Sequence, residues 1–148
     1  MRIAIACDHA AVSHKLAVAA HLTALGHTVE DFGTGSDASV DYPDYGAPAA
    51  TSVASGRNEK GILICGTGIG MSIVANKIHG IRCSLVYGVE IARLTAAHNN
   101  PQMIAIGARF FDVPNAIAMV DAWLTTPFEP RHQGRLDKIT ACEGTSAC

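Results

Sequence analysis

GILICGTGIGMSIVANK (residues 61–77) passes from an unbroken apolar run, Ile62 to Ile64, through Cys65 into glycines at every second position, and then into a segment with helical spacing. An apolar run without polar alternation is the pattern of a strand covered on both faces, as in a parallel sheet. The same pattern recurs on either side. RIAIAC (2–7) reads as a strand and AVSHKLAVAAHLTALG (11–26) as a helix with Gly26 just past its end; HTVEDFG (27–33) is a second strand. GTGSDASVDYPDYG (33–46) is a turn-rich loop before a small-residue helix around PAATSVASG (48–56), and MSIVANKI is the helix after GILIC. IRCSLVY (81–87) and MIAIGA (103–108) are strands, separated by the helix VEIARLTAAHN (89–99); VPNAIAMVDAWLTT (113–126) is a helix with Pro114 in its first turn. Strands alternating with helices predict an α/β fold: a doubly wound, Rossmann-like five-stranded parallel sheet with helices on both faces, an α-β-α sandwich.

With 148 residues, the chain predicts one domain, residues 1–148. Residues 127–148, polar and basic at their start, are expected to form an arm packing on a neighbouring subunit. A net charge of -2 with scattered basic residues, and a single Trp, excludes a nucleic-acid grip. The apolar start is too short for a signal peptide, and no run approaches the length of a membrane span; a cytoplasmic protein with no membrane partner is expected. The five cysteines form no C-x-x-C pair and read as reduced thiols, with Cys7 and Cys83 as small buried hydrophobes and Cys148 at the chain end.

In doubly wound sheets, ligands bind beyond the carboxyl ends of the strands where strand order reverses. Two turns are candidates: Cys7-Asp8-His9 after the first strand, and Cys65 to Gly70 after the third. Gly66, Gly68 and Gly70 make no G-x-G-x-x-G, because Met71 holds the last required position, and there is no phosphate-loop lysine, so a nucleotide site is disfavoured. Glycines before a helix present backbone N–H groups to an anion, although on their own they equally describe a tight turn without a ligand. Cys65 separates the two readings. A thiol at a helix N-terminus is in the setting where cysteines become bases or nucleophiles. Beside an oxyanion-binding loop, that suggests proton abstraction alpha to a carbonyl.

CDHAA (7–11), DYPDY (41–45), GILICGTGIGMSIVANKIHGIR (61–82), AAHNN (96–100), IGAR (106–109) and RHQGRLDKI (131–139) together resemble the type B ribose-5-phosphate isomerase family, within the group that includes galactose-6-phosphate isomerase subunits. The resemblance runs from Met1 to about Ile139. It implies an aldose–ketose isomerase interconverting ribose 5-phosphate and ribulose 5-phosphate through a cis-enediolate; the sequence shows no cluster of carboxylates and histidines such as a metal-dependent hydride shift needs, so a metal-independent, cofactor-free enzyme is expected. Cys65 would be the base, with Thr67 and the amides of Gly66, Gly68 and Gly70 holding the intermediate. His98 would open the furanose ring, and Asn99, Asp8 and Tyr42 would contact the sugar. His9, Arg109, Arg131 and Arg135 would hold the phosphate, since guanidinium forks match its oxygens. The resemblance also implies a homodimer or a tetramer of paired dimers, in which His98, Asn99 and Arg109 reach a partner's Cys65 pocket.

Taken singly, these residues have simpler roles. His98 complements a helix dipole, Asp8 caps the first helix, Tyr42 packs in its loop, and Arg131 and Arg135 lie on a solvated face. His14, His21, His27 and His79 have no metal-ligand spacing and read as structural or surface residues. Three other functions stay open: a hexose 6-phosphate isomerase, a cysteine-dependent acyl transferase, and a sugar-phosphate sensor without turnover.

Overall fold

A computed structural model describes residues 1–144, and Cys148 with the last residues of the expected arm lies outside them. Five parallel strands, β1 (Arg2–Cys7), β2 (Thr28–Asp31), β3 (Lys60–Cys65), β4 (Cys83–Val86) and β5 (Met103–Gly107), form one sheet in the order β2-β1-β3-β5-β4. The helices α1 (Val12–Ala24), α2 (Pro43–Ala54), α3 (Ile69–Asn76), α4 (Val89–Asn99) and α5 (Val113–Thr125) connect or follow them.

The strand order sorts the helices between the two faces. From β1 to β2 and from β4 to β5 the chain steps one way across the sheet, and from β2 to β3 and β3 to β4 it steps the other way. Crossovers of one hand place helices of opposite steps on opposite faces. Accordingly Ile62 and Ile64 join the core under α1, α4 and α5, whereas Leu63 and Cys65 join the core under α2 and α3. Ile62, Leu63 and Ile64 are fully buried, so the unbroken apolar run of β3 is the residue-by-residue record of a central strand with helices on both sides.

Two differences from the sequence reading have local causes. The helix expected around residues 48–56 begins at Pro43, inside the stretch read as loop. A proline in the first turn removes an N–H that has no intrahelical partner there, so this turn-like residue starts a helix. After α5, Pro130–His132 form a 3-10 turn and Gln133–Glu143 a sixth helix, α6. Within the chain this segment is tied down by Glu129 N–H donating to Ala97 O (2.8 Å) and by Glu143 accepting from Gly80 N–H (2.8 Å). Among the described residues, no helix is long and apolar enough to cross a membrane.

Candidate active site

β1 and β3 lie side by side, and the chain leaves them toward opposite edges of the sheet, which opens a crevice at their carboxyl ends. Cys65 ends β3 against Gly107 of β5, and Asp8 follows β1 with its N–H on Ile64 O (3.2 Å). The loop after Cys65 turns sharply through Gly68, which has φ +78° and is so close to the Ile106 backbone that a side-chain carbon there would lie 2.9 Å from it. Only glycine meets both requirements. The turn brings the Gly68 N–H to within 3.1 Å of Cys65 Sγ, so this amide serves the sulfur rather than facing an intermediate.

Around the thiol, Asp8, His9, Tyr42, Gly66, Thr67, Gly70 and Arg109 line a cavity of about 160 Å³. Asp8 does not cap the first helix, whose N-cap is Ala11; its carboxylate accepts from Ala10 N–H (2.9 Å) in a local turn. His9 Nδ1 accepts the Val40 N–H (3.2 Å), so neutral His9 carries its proton on Nε2 and is a donor at that edge. Tyr42 lies over Gly70, where an added carbon would sit 2.7 Å from the ring. Arg109 follows β5 with its N–H on Gly66 O (3.1 Å), and its guanidinium carbon lies 3.1 Å from where a Gly66 side chain would begin. It thus belongs to the Cys65 pocket of its own chain rather than reaching out to a neighbour's.

The loop carrying Val40 and Tyr42 has a buried foundation. Lys15, 2% exposed, pairs with Asp31 (2.6 Å) and donates to the carbonyls of Gly33 (2.7 Å) and Thr34 (2.9 Å), which satisfies all three of its protons. Burial pushes the neighbouring Cys7 thiol up to about 11, and that of Cys83 up to about 12, as expected of packing cysteines.

His98 and Asn99 lie at the other end of the sheet. α4 runs back from the carboxyl end of β4 and stops at Asn100, whose φ of +40° ends the helix just before β5. Lys60, the first residue of β3, donates to Pro101 O (3.0 Å), so His98 and Cys65 are separated by about the 20 Å length of a six-residue strand. Arg82 donates to the carbonyls of Asn99 (3.2 Å) and Asn100 (3.0 Å), offsetting the negative helix terminus.

Arg131 and Arg135 join His98 there, through two residues that the sequence reading missed. Glu129 accepts from Arg131 Nε (2.7 Å), and its Oε2 lies 3.6 Å from His132 Nε2 and 4.0 Å from His98 Nε2. The Arg131 hydrogen bond holds the Glu129 carboxyl below the usual carboxylate range; burial, then the nearby cations, lower His132. Arg135 donates to His132 Nδ1 (2.7 Å), which leaves the His132 proton on Nε2. His98, Glu129 and His132 bring ligand-type atoms within 4.8 Å of one another, yet two guanidiniums face the group and the His132 nitrogen turned to it carries a proton. This chemistry suits an anion better than a cation. The remaining histidines make local contacts: His14 bonds Phe111 O (2.8 Å), His21 bonds Asp121 (2.8 Å), and His27 and the exposed His79 lie by the amino terminus and Glu143.

The sequence pattern of the Ribose/Galactose Isomerase family matches residues 3–139. The chain belongs to this family. Ribose-5-phosphate isomerase B of Escherichia coli strain K12 is 44% identical over 146 residues, covering 96% of each chain. Ribose-5-phosphate isomerase B of Clostridium thermocellum superposes with a TM-score of 0.96 at 40% identity, over 99% of this chain and 100% of that one. The Mycoplasma genitalium ribose-5-phosphate isomerase B, solved with bound ribulose 5-phosphate, gives 0.93 at 36% identity over 98% and 97%. The family is one of sugar isomerases, and the α/β fold of the chain is that of its solved members.

Proposed function

We propose that the chain interconverts ribose 5-phosphate and ribulose 5-phosphate through a cis-enediolate, with Cys65 as the base. The observation that carries this reading is the Cys65 sulfur, held by the Gly68 N–H at the carboxyl end of β3 and facing a cavity with Asp8, His9, Tyr42, Thr67 and Arg109. The thiolate takes the C2 proton of the open-chain aldose, and the C2–H electron pair becomes the C1=C2 bond as O1 takes up negative charge. A proton then passes from O2 to O1, and returning the first proton to C1 as O2 becomes the carbonyl gives the ketose, with no net redox change. Thr67 and the amides of Gly66 and Gly70 support the enediolate oxygens, and Asp8 and Tyr42 contact hydroxyls.

His98 opens the ring before this step, and Asn99 binds the sugar beside it. In one chain these residues stand at the opposite end of the sheet from Cys65, so a second copy supplies them, along with Arg131 and Arg135, across a homodimer. His9 and Arg109 then meet the phosphate from one side and Arg131 and Arg135 from the other. The arm from residue 127 packs on that partner. A reducing cytoplasm keeps the Cys65 thiol available. The test is turnover of ribose 5-phosphate in deuterated water: deuterium at C1 or C2 of recovered sugar supports the enediolate, and isomerisation absent or without exchange removes it.

A further inference from the structure

Near the end of α4, the Glu129 carboxylate lies against three basic side chains, Arg131, His132 and His98. Its carboxylate engages the Nε and Nη2 edge of Arg131 at 2.7 and 2.6 Å, leaving only the other edge of that guanidinium for an anion. The same Oε2 lies 3.6 Å from His132 Nε2 and 4.0 Å from His98 Nε2. The rings of His98 and His132 are 4.4 Å apart, so whatever orients one orients the other. His132 is 3% exposed, and its Nε2 has no hydrogen bond; with Nδ1 accepting from Arg135, that nitrogen is an N–H, and the Glu129 carboxylate lies 3.6 Å from it.

We propose that Glu129 is a positioning residue that couples ring opening to phosphate binding, holding His98 and Arg131 on a single carboxylate. The proposal rests on the roles assigned above to His98 and Arg131. An imidazolium acid has two N–H groups: one faces Glu129 and the other is left for the sugar ring oxygen. Near Arg131 and Arg135, that cation needs a counter-charge, and Glu129 supplies it. The lowering of the Glu129 carboxyl by Arg131 agrees with a carboxylate that stays charged throughout. When phosphate settles on the outer edge of Arg131, the Glu129 contact fixes the guanidinium and, through the same oxygen, the direction in which His98 presents its acid.

The test is Glu129→Gln in the full chain, which keeps the shape and removes the charge. Turnover is compared with wild type on ribose 5-phosphate and on an aldotetrose 4-phosphate, which cannot close a furanose ring. Histidine side-chain nitrogen spectra report in parallel which ring atom holds each proton. The expected result is a loss of roughly 10–100-fold in kcat on ribose 5-phosphate with a raised KM, a change of no more than a few-fold in kcat on the tetrose phosphate, and displaced His98 and His132 nitrogen signals. Equal loss on both substrates overturns the proposal, because a residue that only supports the fold does not distinguish ring from chain. So do unchanged histidine signals, whatever the substrate. Failure of the functional reading is separate: wild type would not isomerise ribose 5-phosphate, and the spectra would still decide whether Glu129 holds the two histidines.

Discussion

The Gly68 backbone N–H donates to the Cys65 sulfur at 3.1 Å, so the turn that starts α3 also holds the thiol. The left-handed glycine is thereby both a folding device and part of the surroundings of Cys65. Replacing Cys65 with Ser keeps a similar size at a site only 4% exposed but substitutes a far weaker acid. Isomerisation is expected to fall about 10²–10⁴-fold while circular dichroism and the melting temperature stay close to wild type. Activity within a few-fold of wild type would remove Cys65 from the mechanism.

Gly68 and Gly80 have nearly the same left-handed φ, +78° and +83°, but different neighbours. A side-chain carbon at Gly80 meets nothing within 4 Å, so Gly80→Ala should cost only the conformational term, about 1–2 kcal/mol. At Gly68 the carbon would press on the Ile106 backbone at 2.9 Å, and Gly68→Ala should melt several degrees lower still and lose activity with the turn. Denaturant midpoints for the two variants decide it; equal values would show that the Ile106 approach relaxes freely.

The proposed shared site makes a stoichiometric prediction. Cys65→Ser and His98→Asn homodimers should each be nearly inactive. Mixing them after subunit exchange should restore about a quarter of wild-type activity, since half the dimers are mixed and each mixed dimer has one complete site. No recovery, with exchange verified by mass, would show that both residues act within one chain.

Arg109 tests the phosphate from the Cys65 side. Charge-assisted hydrogen bonds contribute roughly 1.5–3 kcal/mol, so Arg109→Ala should weaken ribose 5-phosphate binding about ten- to a hundredfold while barely changing residual turnover of unphosphorylated ribose. If both substrates suffer alike, the arginine supports structure and not phosphate. Arg109→Lys separates charge from the planar fork: partial rescue would show that charge dominates.

Thiol chemistry should follow access to the site cavity, since Cys65 at 4% is less exposed than Cys83 at 8%. Cys7 and Cys83, held up to about 11 and 12 by desolvation, should resist iodoacetamide at neutral pH, whereas Cys65 faces a cavity and should be labelled as activity is lost. Ribose 5-phosphate should slow that labelling. Peptide mapping by mass spectrometry reads each site separately; rapid labelling of Cys7 or Cys83 in folded protein would contradict their burial.

The strands and five of the helices were legible along the chain because β3 and its neighbours are apolar without alternation, and only a sheet covered on both faces uses such runs. The start of α2 was hidden because Pro43 signals a turn and a helix start equally well, and α6 because one buried residue, Leu136, is too little to write an apolar stripe into the sequence. The cavity group of Asp8, Cys65 and the glycines was readable because its members follow strand ends, which local sequence marks. Strand order decided the rest. It put β1 beside β3, brought Arg109 from β5 onto Gly66 within one chain, and carried His98 along α4 to the opposite end of the sheet. Glu129 gave no sequence signal, and His132 none beyond its place in RHQGRLDKI, because their partner His98 lies about thirty residues away on α4 and contacts across such a gap are made by packing rather than by any local propensity.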